Sequence, residues 1–173
     1  NSLLSKQKTL FLPNGWPTYF KKTDQINVWD LDDNKYTDFI MSVGTNTLGY
    51  NNSRINDKVK ACVSDGVMSS LNCPEEVELA ERLIAMHPWS DMVKYARTGG
   101  EANAIAVRIA RASTGRDKVA ICGYHGWHDW YLAANLSAER LGEHLIPGLE
   151  AKGVNSLLDG TTHIFHYNKI EEL

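Results

Sequence analysis

The sequence predicts an α/β protein, and two patterns in the second half of its 173 residues support this prediction. A strand candidate over residues 92–96 is followed by a helix over residues 98–112 and by a second apolar strand candidate over residues 118–122. A strand, a helix and a strand in this order form a βαβ unit, whose strands lie parallel in one sheet. Gly123 and Gly126 then end the second strand candidate, where open α/β sheets bind their ligands.

The first half of the chain predicts a β-hairpin and a helix. Residues 27–30 and 36–39 are short strand-like runs, and the polar residues 32–35 between them tolerate turn geometry. Residues 53–67 carry an apolar side chain at every fourth position, which aligns these side chains on one helix face. We therefore expect a two-stranded hairpin followed by an amphipathic helix.

The remaining elements are predicted from prolines and from apolar spacing. Pro74 fits the first turn of a second helix, and Pro88 prevents that helix from continuing. Residues 163–167 form a strand candidate, and residues 169–173 have the pattern of a helix start. The helix of the βαβ unit has an apolar stripe formed by Ala102, Ile105, Ala106, Ile109 and Ala110.

Charge and composition exclude several classes of protein. The chain has 18 basic and 21 acidic side chains, so it lacks the basic excess that binds nucleic acid through its phosphates. No apolar run approaches the ~18–20 residues that span a bilayer, and residues 1–12 contain no signal-peptide pattern. We expect a soluble, cytoplasmic protein without nucleic-acid or membrane partners. Its cysteines are predicted to be buried free thiols: Cys62, Cys73 and Cys122.

One motif that could bind a ligand, TGGEANA at residues 98–104, lies where the first strand candidate meets the helix. Thr98 and Glu101 have the spacing of a capping box. Gly99 and Gly100 lack the Cβ atoms that would keep a ligand from the free N–H groups of the helix start, so a phosphate fits there. A capped helix whose glycines only permit a tight turn explains the motif equally well. The sequence contains neither a P-loop nor a dinucleotide fingerprint.

A second motif, GYHGWHDWY at residues 123–131, directly follows the second strand candidate. Because both motifs lie at carboxyl ends of strands, an aromatic ring of the second can stack on a planar heterocycle whose phosphate binds at the first. The alternative is an aromatic loop that packs into the core.

The histidines of the second motif allow a different chemistry. His125, His128 and Asp129 carry nitrogen and oxygen donors that could ligate zinc together with His163 or His166, as in a zinc hydrolase. Their spacing matches no fixed metal-binding pattern. We keep a zinc site as a less favoured alternative.

An ordered set of short segments resembles the class III pyridoxal-phosphate-dependent aminotransferase family, in its glutamate-1-semialdehyde aminomutase-like branch. These segments are VWDLDDNKYTDF at 28–39, LGY at 48–50, PEEVELAE at 74–81, TGGEANA at 98–104, ARASTGR at 110–116, GYHG at 123–126 and FHYN at 165–168. The resemblance implies a partial fold-type I α/β protein with a mainly parallel large-domain sheet. It implies an amino-terminal small-domain segment over residues 1–70 and an incomplete large pyridoxal-phosphate-binding domain over residues 71–173.

The resemblance also implies a cofactor site. The residues implied to bind pyridoxal 5'-phosphate are Thr98, Gly99, Gly100, Tyr124 and His125. Tyr124 would stack on the pyridine ring, whereas Glu101 is interpreted mainly as a helix cap. Val43 falls where the aminomutases carry a tryptophan near the substrate. This departure, with Gly100 in place of Ser or Thr and Tyr50 in place of His, leaves transaminase and aminomutase activity equally open.

The resemblance places no catalytic residue in this chain. The Schiff-base lysine and the carboxylate that binds the pyridine nitrogen are expected beyond Leu173, so we expect an amino-terminal piece that is inactive alone. The intact enzyme is expected to be a homodimer that acts on a small amino compound and an oxo-acid or aldehyde. The alternative is a non-catalytic remnant or interaction module that keeps a phosphate-binding fold.

Overall fold

A computed structural model describes residues 17–137 and 150–173 of the chain. The chain divides into two compact units, Asn1–Glu76 and Val77–Leu173. The predicted assignment of residues 1–70 and 71–173 to a small and a large domain stays a prediction. Residues 1–12, for which the sequence predicts no signal peptide, lie outside the described residues.

The first unit contains an antiparallel three-stranded sheet with the order β1-β2-β3. Its strands are β1 (Phe20–Asp24), β2 (Asn27–Asp30) and β3 (Lys35–Thr37). The predicted hairpin is confirmed as β2 and β3, in which Val28 lies opposite Tyr36. The sequence analysis missed β1, because its side chains are mostly exposed and so show no apolar alternation.

The buried carboxylate of Asp30 organises the turn between β2 and β3. It accepts hydrogen bonds from the Asp32 amide at 3.0 Å, the Asn34 amide at 2.9 Å, and Asn34 Nδ2 and Tyr36 Oη at 3.0 Å each. Burial acts to raise the pKa of Asp30, but these hydrogen bonds outweigh it and hold the pKa below its ordinary value. The turn depends on an ionised Asp30.

Two helices follow the sheet, and both confirm the sequence prediction. Helix α1 (Ser53–Asp65) is capped by Asn52, whose side chain accepts a hydrogen bond from the Ile55 amide. Helix α2 (Pro74–Met86) has acidic residues in its first turn and crosses the division between the units. Neither helix contains a buried residue.

The second unit contains α3 (Gly99–Thr114), β4 (Val119–Ile121), α4 (Asp129–Leu132) and β5 (Thr162–Ile164). Short 3-10 turns cover Ala133–Asn135, Ser156–Leu158 and Ile170–Glu172. Strands β4 and β5 pair in parallel, with Ala120 opposite His163. The strand predicted at 118–122 is confirmed with shorter bounds, and the strand predicted at 163–167 lies earlier, at 162–164. The predicted helix start at 169–173 is a 3-10 turn over residues 170–172.

The predicted βαβ unit is wrong in its first strand. Residues 92–96 are among the described residues and do not form a strand. The parallel partner of β4 is β5. Val93 and Tyr95 are half-buried between exposed neighbours, so the period-two pattern is real. A strand requires hydrogen bonds to a neighbouring strand as well as this pattern, and periodicity carries no information about that pairing.

The core of the second unit lies where β4, β5, α3 and α4 meet. Its buried cluster consists of Ile121, Trp130, Tyr131 and Ala134. Helix α3 packs against this cluster through Ala104 and Val107, so the face predicted from its apolar stripe is incorrect: Ile109 is 58% exposed. The buried Thr162 hydroxyl donates a hydrogen bond to the Trp130 carbonyl and joins β5 to α4.

The structure corrects one expectation about the cysteines. All three are free, as predicted, but Cys62 and Cys73 are exposed and Cys122 is only partly buried. No helix within residues 17–137 and 150–173 is long and apolar enough to cross a membrane.

Replacing Thr162 with Val should lower the free energy of unfolding by about 1–3 kcal/mol, because the Trp130 carbonyl then stays buried without this donor. Thr162→Ser keeps the hydroxyl and should lose less, about 0.8 kcal/mol for the missing methyl group. Urea unfolding followed by tryptophan fluorescence measures both values. A Val variant as stable as the parent chain contradicts this account of the core.

Acid should destabilise the first unit through Asp30. A carboxylate whose pKa is lowered in the folded state stabilises the protein above its unfolded pKa, and this contribution disappears as the pH falls below about 4. Asp30→Asn should therefore reduce stability at pH 7 and flatten the decrease in acid. Thermal midpoints between pH 7 and pH 3 test this, with the exposed Asp32→Asn as the matched control. Equal pH profiles for the two variants would refute the role of Asp30.

Candidate functional site

The amino terminus of α3 is closed by a capping box, as the sequence predicts. Thr98 Oγ1 accepts a hydrogen bond from the Glu101 amide at 3.2 Å. Glu101 Oε2 accepts in return from the Thr98 amide at 3.2 Å and from the Arg97 amide at 2.9 Å. The Glu101 carboxylate is thereby occupied by backbone donors, and the helix start is fixed.

Gly99 and Gly100 are the first two residues of α3. Amide N–H groups in the first turn have no partner within a helix, and the positive end of the helix dipole lies beside them. Gly99 is exposed, and a Cβ built on it would meet no atom within 4 Å. This turn can therefore bind an anion through its backbone, which fits a phosphate group.

The segment between β4 and α4, residues 123–128, is here named the aromatic loop. His125 Nε2 donates to the Cys122 carbonyl at 3.0 Å, which holds the imidazole over the end of β4. Asn103 Nδ2 of α3 donates to the His125 carbonyl at 3.2 Å. The aromatic loop is therefore bonded both to its own strand and to the helix whose first turn is the candidate anion site.

The ring of Tyr124 packs against Tyr131 and is partly open to solvent. It is 46% exposed and lies edge to face on Tyr131, with ring centroids 5.8 Å apart and planes at 82°. Tyr131 is fully buried, and this burial raises the pKa of its phenol, so the group is neutral at pH 7. A partly exposed ring on a buried ring is suited to stacking on a planar ligand.

Two glycines allow α3 and the aromatic loop to touch. A Cβ on Gly126 would lie 3.2 Å from Gly100 Cα, and a Cβ on Gly100 would lie 2.6 Å from His128 Cε1. Gly126 also has a φ of 108°, which L side chains rarely adopt. Glycine at position 126 thus permits the close approach to the α3 backbone, and glycine at position 100 leaves space for the His128 ring.

Val43, the remaining residue of the predicted site, lies in the first unit and is 81% exposed. It belongs to a run of left-handed residues, in which Met41, Ser42 and Val43 have φ angles of 48°, 52° and 57°. A β-branched residue adopts this conformation only at a cost in free energy, and strained backbone is common at ligand sites. Its predicted role near the substrate stays a prediction.

The predicted alternative zinc site is not assembled. Within the described ranges, no group of three or more His, Cys, Asp and Glu side chains could hold a metal ion. His166 Nδ1 instead pairs with Glu172 Oε2 at 2.8 Å, and His163 Nε2 donates to the Glu172 carbonyl at 3.1 Å. These two histidines secure the 3-10 turn that follows β5.

Sequence reasoning missed two residues of this site. The sequence prediction includes Asn103 only as part of a motif, yet its side chain binds the aromatic loop. It includes His128 only as a candidate metal ligand, yet the His128 ring packs against Gly100. An amide side chain near the start of a glycine-initiated helix is a signal that could have pointed to Asn103, whereas the contact of His128 spans 28 positions and leaves no local pattern.

Comparisons with known proteins find relatives named as enzymes that act on amino groups. The chain is 34% identical over 161 residues to the glutamate-1-semialdehyde 2,1-aminomutase of Methanothrix thermoacetophila, covering 91% of this chain and 36% of that protein. It is 32% identical to the 3-aminobutyryl-CoA aminotransferase of Cloacimonas acidaminovorans, covering 94% and 36%. The chain thus spans little more than a third of the length of these relatives.

A solved structure of a transaminase with pyridoxal phosphate bound superposes with a TM-score of 0.77 at 28% identity, covering 94% of this chain and 38% of that chain. This likeness confirms the predicted fold class, a partial fold-type I α/β protein. The model of the family "Aminotransferase class-III" matches residues 13–161. The chain therefore belongs to the class III aminotransferase family.

Proposed function

We propose that this chain forms the cofactor-binding part of an enzyme that transfers amino groups with pyridoxal 5'-phosphate. The observation that carries the proposal is the direct contact between the first turn of α3 and the aromatic loop. Pyridoxal phosphate contains a phosphate, which the α3 turn would bind, and a planar ring, on which Tyr124 of the adjoining loop would stack. Membership of the class III family supports the same conclusion.

The residues present fit the cofactor. The amides of Gly99 and Gly100 and the Thr98 hydroxyl would bind the phosphate. The Glu101 carboxylate is held by hydrogen bonds from the Arg97 and Thr98 amides. Tyr124 would fix the plane of the ring, with Tyr131 beneath it. His125, held by the Cys122 carbonyl, would keep the loop against the sheet beside the ring. When bound, the cofactor supplies a ring that withdraws electrons from the reacting carbon.

We propose that the substrates are a small amino compound and an oxo-acid or aldehyde. The names of the relatives, an aminomutase and an aminotransferase, support an amino compound as substrate. Val43 would lie near this substrate. The lysine and the carboxylate that complete the chemistry are proposed to belong to the rest of the enzyme, so this chain alone would bind the cofactor without transferring amino groups.

We further propose that the intact enzyme is a cytoplasmic homodimer in which residues 1–70 belong to a small domain and residues 71–173 to a large one. Exposed apolar side chains in both units support burial against further protein: Phe39 is 92% exposed, Trp89 83%, Met92 86% and Tyr167 89%. Burying these side chains against further protein would remove their apolar surface from water, which is favourable.

The proposal predicts that a negative charge at Gly99 prevents cofactor binding. Gly99→Asp and Gly99→Asn add side chains of equal size, so their comparison isolates the charge. The Asp variant should bind pyridoxal phosphate at least about tenfold more weakly than the Asn variant, because its carboxylate repels the phosphate. Acidic residues stabilise the first turn of a helix, so unfolding cannot account for this loss.

Equilibrium dialysis of the chain against pyridoxal phosphate measures these affinities, and inorganic phosphate should compete in the parent chain. Amino transfer is measured in the same samples and should be absent. Equal affinities for the Asp and Asn variants would refute the phosphate site at α3.

A further inference from the structure

The ring of His128 occupies the space that a side chain at position 100 would need. A Cβ on Gly100 would lie 2.6 Å from His128 Cε1 and 2.7 Å from His128 Nδ1, closer than real Cβ contacts. The ring is also stacked on Trp127, with centroids 5.0 Å apart and planes at 28°. A residue larger than glycine at position 100 must therefore displace the imidazole and disturb its stack.

The position of this imidazole is set by packing. His128 Nδ1 is buried and has no hydrogen-bond partner within residues 17–137 and 150–173. A buried polar atom without a partner costs free energy, so its placement must be compensated by the contacts of the ring. Those contacts are with Gly100 on one side and Trp127 on another.

His128 completes a series of contacts between α3 and the aromatic loop. The His125 carbonyl is bonded to Asn103, Gly126 lies against the Gly100 backbone, and the His128 ring covers Gly100 Cα. These three contacts are made by residues 125, 126 and 128, which all follow Tyr124 in the aromatic loop. The separation between the first turn of α3 and the Tyr124 ring therefore depends on them.

We propose that His128 is a positioning residue, which sets the distance between the phosphate-binding turn and the stacking ring by packing against Gly100. This inference rests on the proposed function. His128 acts through Gly100 and the loop.

A double-variant cycle tests the inference, using Gly100→Ala, His128→Ala and both together. Each variant is titrated with pyridoxal phosphate and separately with inorganic phosphate. Inorganic phosphate needs only the α3 turn for binding. Pyridoxal phosphate needs the α3 turn and the Tyr124 ring at the correct distance from each other. The informative quantity is therefore the ratio of the two affinities, which partial unfolding would leave unchanged.

We expect Gly100→Ala to lower this ratio about tenfold, since the new methyl group displaces the His128 ring and with it the loop. His128→Ala alone should lower it less, because the ring leaves a void. In the double variant the methyl group enters that void, so the ratio should be nearer to that of the parent chain than in either single variant.

Thermal midpoints give a second measurement that does not depend on ligand. Gly99→Ala adds the same methyl group one residue earlier, where it meets no atom, so it should preserve or raise the midpoint. Gly100→Ala should lower the midpoint, and His128→Ala should restore it in the double variant.

Losses that simply add in the double variant overturn the positioning role while leaving the proposed function intact, provided that the parent chain binds pyridoxal phosphate in competition with inorganic phosphate. A parent chain that binds neither ligand overturns the proposed function and this inference together.

Discussion

The site depends on one close contact, between the first turn of α3 and the loop that follows β4. A Cβ on Gly126 would lie 3.2 Å from Gly100 Cα, and a Cβ on Gly100 would lie 2.6 Å from the His128 ring, so an added methyl group is crowded at both positions. The bond from Asn103 to the His125 carbonyl holds the same two segments together. In the proposed function, this contact joins the turn that would bind the phosphate to the loop whose Tyr124 would stack on the ring.

The core beneath this contact determines where the two segments lie. Tyr131 is fully buried under Tyr124, and the Thr162 hydroxyl bonds the Trp130 carbonyl, so α4 is fixed to β5 and the loop before it has a defined end. On the other side, the capping box fixes the start of α3 and engages the Glu101 carboxylate with backbone amides. The polar part of the site therefore rests on local hydrogen bonds, while its spacing rests on the packing of a small core.

Sequence reasoning succeeded where the determining interactions are local. Helices α1, α2 and α3, the β2–β3 hairpin and the capping box all depend on residues close together in the chain, and each was predicted. It failed where the interaction is distant: it paired β4 with residues 92–96 instead of β5, and it overlooked the contact between Gly100 and His128. The prediction that the cysteines are buried is wrong for a different reason. Composition indicates how often a residue type is buried in general, and it does not show whether other residues cover Cys62 or Cys73.

The central claim is that the first turn of α3 and the aromatic loop bind one ligand together, and amide chemical shifts of the chain test it directly. On titration with pyridoxal phosphate, the account predicts that the Gly99 and Gly100 amides shift together with those of Tyr124 and His125. Inorganic phosphate should shift chiefly the two glycine amides, because it cannot reach the ring. Shifts with pyridoxal phosphate that spare either segment, or that arise in another part of the chain, would contradict the claim.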